Sequence, residues 1–331
     1  MSDDFRHRTV KTNGIDMHVA EYGPQDGKPV IFVHGFPELW RSWQHQLKAV
    51  GDAGYRGIAP DMRGYGRTTA PKDVEAYNVH ELTNDLAGLV DDLGVDQAAF
   101  VGHDWGAWAM WFMTMLHADR VHSLVNISVP YMPRAESPPV QFMRQLFGEN
   151  FFYIVYFQDV GPPEAELEKD VRKTVLRFAW SVSGAAAADF GERNFAPVKY
   201  SDDIGFLDQM SDPPDGLASM PWFTQEDLDY FVGEFSRTGY FGPVSWYRNI
   251  DRNWERTPEL TGKAPQQPVL FIAGTNDVVI RMSPPDGMRQ TIPDLRGIEL
   301  VEGPGHWIHM EEPEEVNTRL LRFLSDVGYV S

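Results

Sequence analysis

Residues 98–112 run Ala98-Ala99-Phe100-Val101-Gly102-His103-Asp104-Trp105-Gly106-Ala107-Trp108-Ala109-Met110-Trp111-Phe112. A short apolar run, a small-x-acid-x-small element and a helix-like stretch predict a strand, a sharp turn and a helix. Glycines two before and two after Asp104 let the chain turn without a Cβ clash. The turn then projects Asp104 from the strand end into a cleft. A Ser in that place needs a base before it can attack. Asp, with a reference pKa near ~3.9, is already anionic at neutral pH. It attacks a carbon electrophile and becomes an ester, which must then be hydrolysed. The plain alternative is that Asp104 only caps the following helix, a favoured role for Asp.

Outward from this elbow, short apolar runs alternate with amphipathic stretches. Thr9-Val10-Lys11 and Ile15-Asp16-Met17-His18-Val19-Ala20, joined by Thr12-Asn13-Gly14, predict a hairpin. Pro29-Val33, Gly57-Ala59, Leu124-Val129 and Val269-Ala273 are further strand candidates. Leu82, Leu86, Leu89, Val90 and Leu93 fall on one face of a helix over 79–93. Strands alternating with helices predict an α/β fold: a mostly parallel sheet covered by helices on both faces. The rhythm breaks after Pro130. Helical stretches such as Glu164–Trp180 and a Gly/Pro/Asp-rich passage over 183–221 follow, as expected of an inserted, mainly helical cap. The expected division is a core domain of 1–130 and 246–331 with a cap of 131–245.

Composition narrows the partners. With 48 acidic against 29 basic residues, the net charge of −19 disfavours nucleic acid and anionic membranes. No run of about eighteen apolar residues predicts a membrane span. Zero cysteines exclude disulfides and thiolate metal sites. The charged opening Met1-Ser2-Asp3-Asp4-Phe5-Arg6 lacks the apolar stretch of a signal peptide, so a cytoplasmic location is expected. Assembly into a homo-oligomer stays open.

An ester-forming Asp needs a base and an acid that orients it. Gly274-Thr275-Asn276-Asp277 follows one strand candidate, and Gly303-Pro304-Gly305-His306-Trp307 lies further on. Both sit where an open parallel sheet presents ligand-contacting residues. The Phe36 amide of Val33-His34-Gly35-Phe36-Pro37 and the Trp105 amide are candidate oxyanion donors. His34 and His103 are expected to be structural, His309 an ordinary buried or surface histidine, and Asp61 with Arg63 a loop-fixing pair.

Taken together, His34-Gly35-Phe36-Pro37-Glu38, Asp61-Met62-Arg63-Gly64-Tyr65-Gly66, Gly102-His103-Asp104-Trp105-Gly106 and Gly305-His306-Trp307 resemble the α/β-hydrolase-fold epoxide hydrolases. The order nucleophile, acid, histidine is also that of α/β-hydrolases. Tyr156-Phe157-Gln158 and Gly242-Pro243-Val244-Ser245-Trp246-Tyr247-Arg248-Asn249 resemble the cap motifs that carry that family's ring-opening tyrosines. Tyr153 competes with Tyr156, and the Phe-Gln after Tyr156 favours Tyr156. The core motifs alone are shared with haloalkane and haloacid dehalogenases.

The resemblance implies conversion of a small hydrophobic epoxide and water to a vicinal diol. Asp104 is the nucleophile, His306 the base, Asp277 its orienting acid, and Tyr156 and Tyr247 the ring-opening acids. Phe36, Trp105 and Trp180 are expected to line the substrate cleft, and no metal or organic cofactor is called for. A ring-opened epoxide is an alkoxide and needs a proton, whereas a departing halide does not, so the tyrosines favour the epoxide over the dehalogenase alternative. A non-catalytic binding protein on the same fold has no use for Asp104, Asp277 and His306 together.

Overall fold

The computed structural model describes residues 4–187, 198–201 and 204–331. Eight strands form one sheet: β1 (Arg6–Thr12), β2 (Ile15–Tyr22), β3 (Pro29–Val33), β4 (Arg56–Pro60), β5 (Ala98–His103), β6 (Val121–Ile127), β7 (Val269–Gly274) and β8 (Leu295–Val301). Their spatial order is β1-β2-β4-β3-β5-β6-β7-β8. β1–β2 and β2–β4 pair antiparallel, and every pair from β3–β4 onward is parallel. The fold is therefore the α/β sheet expected from the alternation of elements.

Alternating side chains of the central strands feed two separate cores. Ile31, Val33, Phe100, Val269 and Phe271 enter one core, and Val30, Phe32, Ala99, Val101, Leu270 and Ile272 enter the other. This is the period-two consequence of a pleated strand buried on both faces. Helices Val79–Asp92 and Trp105–Leu116 cover the first face, and Gln44–Asp52 and Pro313–Asp326 cover the second. Each fully buried large aliphatic side chain contributes roughly 1.5–3 kcal/mol.

Local chemistry sets the boundaries. The first hairpin turns on Asn13 and Gly14 alone, with φ of 42° and 77°, so Thr12 still pairs with Ile15. Asn78 starts the 79–92 helix by accepting from the amides of His80 and Glu81. The helix expected over 164–180 is two helices, Pro162–Lys169 and Val171–Ser181. Asp170 breaks it: its side chain accepts from the Lys173 amide and caps the second helix. β8 escaped the sequence pattern because it is an edge strand, with mostly half-exposed residues and no apolar run.

Between β6 and β7 the named elements among the described residues are all helical. Of the 183–221 passage, residues 188–197 and 202–203 lie outside the described residues. Helix Phe241–Arg248 runs through the boundary expected at 245/246. Its Tyr247 thus stands on a helix begun in the cap segment. No helix of the described residues is long and apolar enough to cross a membrane.

Candidate active site

The loops after β3, β5, β7 and β8 converge at the carboxyl edge of the sheet. At the end of β5, Asp104 takes φ 50° and ψ −121°, a conformation that costs a non-glycine residue about 1–3 kcal/mol. The flanking glycines serve space. A Cβ on Gly102 would lie 2.7 Å from Asn126 Oδ1 and 2.8 Å from Ala107 Cα, and one on Gly106 would lie 2.1 Å from the Val33 carbonyl. The unusual dihedral belongs to the acid itself.

Asp104 occupies the N-cap position of helix Trp105–Leu116 but gives that helix no side-chain cap bond. Its Oδ1 instead accepts from the Phe36 amide at 2.7 Å. Its Oδ2 faces His306 Nε2 at 3.4 Å, ion-pair contact rather than a tight hydrogen bond. His306 Nδ1 lies 3.2 Å from Asp277 Oδ1. Asp277 also accepts from the Val279 amide at 2.8 Å.

Electrostatics follow from this row of acid, base, acid. Burial opposes the charge on His306. The carboxylates of Asp277 and Asp104 outweigh it and hold the imidazole pKa well above its usual range. Burial likewise opposes ionisation of Asp277. The facing His306, with hydrogen bonds from His306, the Val279 amide and Ser128, keeps it below the usual carboxylate range.

The sign of the pH dependence is then fixed. His306 has its pKa raised on folding, so its contribution to stability is complete below about pH 6.5 and is lost as pH rises through the folded value. Asp277 is depressed, so its contribution is present above about pH 4 and is lost as pH falls through the folded value. Thermal melts across pH should show loss of stability on both sides. In D104A, with one carboxylate gone, the alkaline loss should be smaller and should end at a lower pH. An unchanged alkaline limb would mean that Asp104 does not act on His306.

Behind this row, Glu38 links three loops. Its carboxylate accepts from the Gly35 amide at 2.9 Å and meets His103 Nδ1 at 2.6 Å and His309 Nε2 at 3.1 Å. His103 Nε2 in turn reaches the His306 carbonyl at 2.8 Å. His309, expected to be inert, is thus a buried member of the support, and burial pushes its pKa down to about 4. Among the described residues, Glu38, His103 and His309 are the three-donor group compact enough to hold a metal ion. Their facing atoms already meet at hydrogen-bond distance. Asp61 and Arg63 do not pair with each other. Asp61 holds His18 at 2.8 Å, and Arg63 holds Asp85 at 2.6 Å.

The structure sets the three tyrosines in different surroundings. Tyr247 is buried, with its ring 4.7 Å from Trp105 and 5.3 Å from Phe36, both edge-on. Burial and then the Asp104 carboxylate raise its pKa. Tyr153 lies 5.9 Å from Tyr247, ring to ring, and its pKa is also raised by burial and then by Asp104. The hydroxyl of Tyr156 points elsewhere and donates to Glu166 Oε2 at 2.9 Å. Glu166 also accepts from the amides of Phe206 and Leu207, so Tyr156 belongs to a structural knot of the cap.

The Phe-Gln pair that follows Tyr156 makes its contacts around Tyr153. Phe157 is four residues past Tyr153 and packs on it at 5.8 Å, as i,i+4 neighbours on a helix do. Gln158 Nε2 donates to the carbonyls of Ile154 and Tyr247, tying together the two tyrosine-bearing helices. That spacing was the signal available in the sequence.

Trp180, expected at the cleft, also needs restating. The aromatic contacts with Phe36 at 5.5 Å and with Trp307 at 5.8 Å are made by Phe178. Two residues along a helix are about 200° apart around its axis, so Trp180 follows another face. It is partly buried and packs against the same apolar core.

With this geometry in hand, similarity to known proteins can be read. Residues 28–313 match the alpha/beta hydrolase fold family. The chain is 46% identical to epoxide hydrolase A of Mycobacterium tuberculosis, over 96% of this chain and 97% of that protein. It is 37% identical to epoxide hydrolase 3 of Siraitia grosvenorii, over 98% and 99% of the two chains. The solved structure of epoxide hydrolase A from Mycobacterium thermoresistibile superposes with a TM-score of 0.91 at 41% identity, covering 97% of this chain and 98% of that one. The chain belongs to the α/β-hydrolase fold family, and within it to the epoxide hydrolases.

Proposed function

We propose that this epoxide hydrolase turns hydrophobic epoxides into vicinal diols in two half-reactions, with Asp104 as nucleophile and Tyr153 and Tyr247 as ring-opening acids. The observation that carries the assignment is that buried Tyr247 and half-buried Tyr153 pack ring to ring at 5.9 Å, both in the field of the Asp104 carboxylate. Raised pKa values keep both neutral at pH 7, so both can donate to the ring oxygen while Asp104 attacks a ring carbon. The developing alkoxide is a stronger base than a phenolate and takes the proton. Phe36, Phe157 and Phe178, in contact with one another or with Tyr247, supply an apolar wall suited to a hydrophobic substrate.

Charge balance explains how His306 becomes a base. In the resting site it is paired with two carboxylates and holds a proton. Ester formation neutralises Asp104 and removes one of the charges that raise the His306 pKa. His306 then gives up its proton, which restores the phenol that protonated the ring oxygen. Neutral His306, oriented by Asp277, then takes a proton from water, and the hydroxide attacks the Asp104 ester carbonyl. The amides of Phe36 and Trp105 hold the oxyanion, a role worth about 3–4 kcal/mol per donor. Collapse breaks the acyl–oxygen bond, releases the diol and restores the Asp104 carboxylate–His306 imidazolium pair. We place this activity in the cytoplasm, in keeping with the acidic, highly charged chain, and assign 131–245 to the cap.

Single turnovers with a styrene-type epoxide test the tyrosines. Y153F and Y247F should each slow ester formation on the order of 10²-fold, and the double variant should abolish it. Y156F should stay within a few-fold of the unmodified enzyme. Equal damage from Y156F and Y153F, or full activity in the double variant, would overturn the assignment.

A further inference from the structure

Glu311 lies five residues past His306, and its carboxylate collects backbone amides from two parts of the chain. Oε1 accepts from Gly305 at 3.1 Å and Trp307 at 3.2 Å, the residues on either side of the base. Oε2 accepts from Gly184 at 2.8 Å, in the cap segment that follows helix Val171–Ser181. The contact continues along the same seam. The His306 amide donates to the Val182 carbonyl at 2.8 Å, and the Trp307 indole donates to the Ala179 carbonyl at 2.9 Å. The two backbones meet without side chains between them. A Cβ on Gly305 would lie 2.4 Å from the Gly184 nitrogen, and one on Gly184 would lie 2.3 Å from the Gly303 carbonyl.

We propose that Glu311 is a positioning residue that fastens cap segment 182–184 to the base loop, so that the alignment of His306 depends on the docking of the cap. A carboxylate can satisfy three converging N–H groups with acceptors alone. An amide in its place must turn one NH₂ toward a backbone donor, and the seam then loosens beside His306. The base works only in ester hydrolysis, so the effect falls on the second half-reaction. The inference rests on the assignment of Asp104 and His306 above.

The test is a single turnover of a styrene-type epoxide with enzyme in excess, with the Asp104 ester counted by mass spectrometry at each quench time. E311Q should form the ester within about twofold of the unmodified rate and hydrolyse it on the order of 10- to 100-fold more slowly, the scale of a misplaced catalytic group. In the steady state kcat and KM should fall together, because a slow second step traps enzyme as the ester. E311D, which keeps the acceptors on a shorter reach, should recover part of the lost rate. If E311Q fails to fold, E311D carries the same comparison. Hydrolysis at the unmodified rate overturns the proposal, and so does equal slowing of both steps, which marks a merely loosened fold. Absence of any ester in the unmodified enzyme would instead overturn the role of Asp104.

Discussion

Asp104→Ala should lose turnover of any epoxide by at least about 10⁴-fold, or about 5.5 kcal/mol of barrier at ~1.4 kcal/mol per decade. The size follows from the site. Asp104 is the carboxylate held between an amide donor at 2.7 Å and the base at 3.4 Å. Asp277, the other acid of the row, is fully buried on the far side of His306. Nothing else in that row can reach an electrophile. The same assignment predicts an isotope pattern. In oxygen-18 water, with enzyme in excess, the first diol should carry unlabelled oxygen and the label should appear in the Asp104 carboxylate. Label entering the diol directly would mean that water attacks the epoxide, and the ester route would fail.

His306→Gln should behave differently from Asp104→Ala although both stop turnover. Its nucleophile is intact, and Tyr153 and Tyr247, the proposed ring-opening acids, stand on helices Tyr153–Tyr156 and Phe241–Arg248, apart from the base loop. The first epoxide should therefore still be captured. Without a base, the ester has no activated water and should persist, with kcat lower by about 10³–10⁴-fold. Intact-mass measurement should find one added epoxide per chain, on the peptide that contains Asp104. A variant that neither turns over nor gains mass would show that His306 is needed for attack itself, contrary to the two-step scheme.

Much of this was legible in the chain because it is written locally. A strand, two small residues and an acid between them describe the elbow at 102–106 wherever the rest of the protein lies. The continuous burial of β3, β5 and β7 comes from apolar runs that are just as local. Local competition was harder to see. Asp170 splits a helix whose apolar spacing runs straight through it, and β8 has too little burial to leave an apolar run.

The tyrosines mark the boundary between the two kinds of information. The sequence by itself determined that this is an α/β sheet enzyme with an acid at its elbow, a later Asp and His, and an aromatic cap. Those features depend on backbone geometry and on residue types within a few positions. Only the tertiary structure decided what each of the two tyrosines meets. Tyr153 and Tyr156 stand three residues apart in one short helix, with similar neighbours along the chain. Tyr156 meets Glu166, which also accepts from the amides of Phe206 and Leu207, while the Tyr153 ring meets that of Tyr247, nearly a hundred residues away. A hydroxyl's role is set by what lies within about 3 Å of it, and that company is assembled by long-range packing.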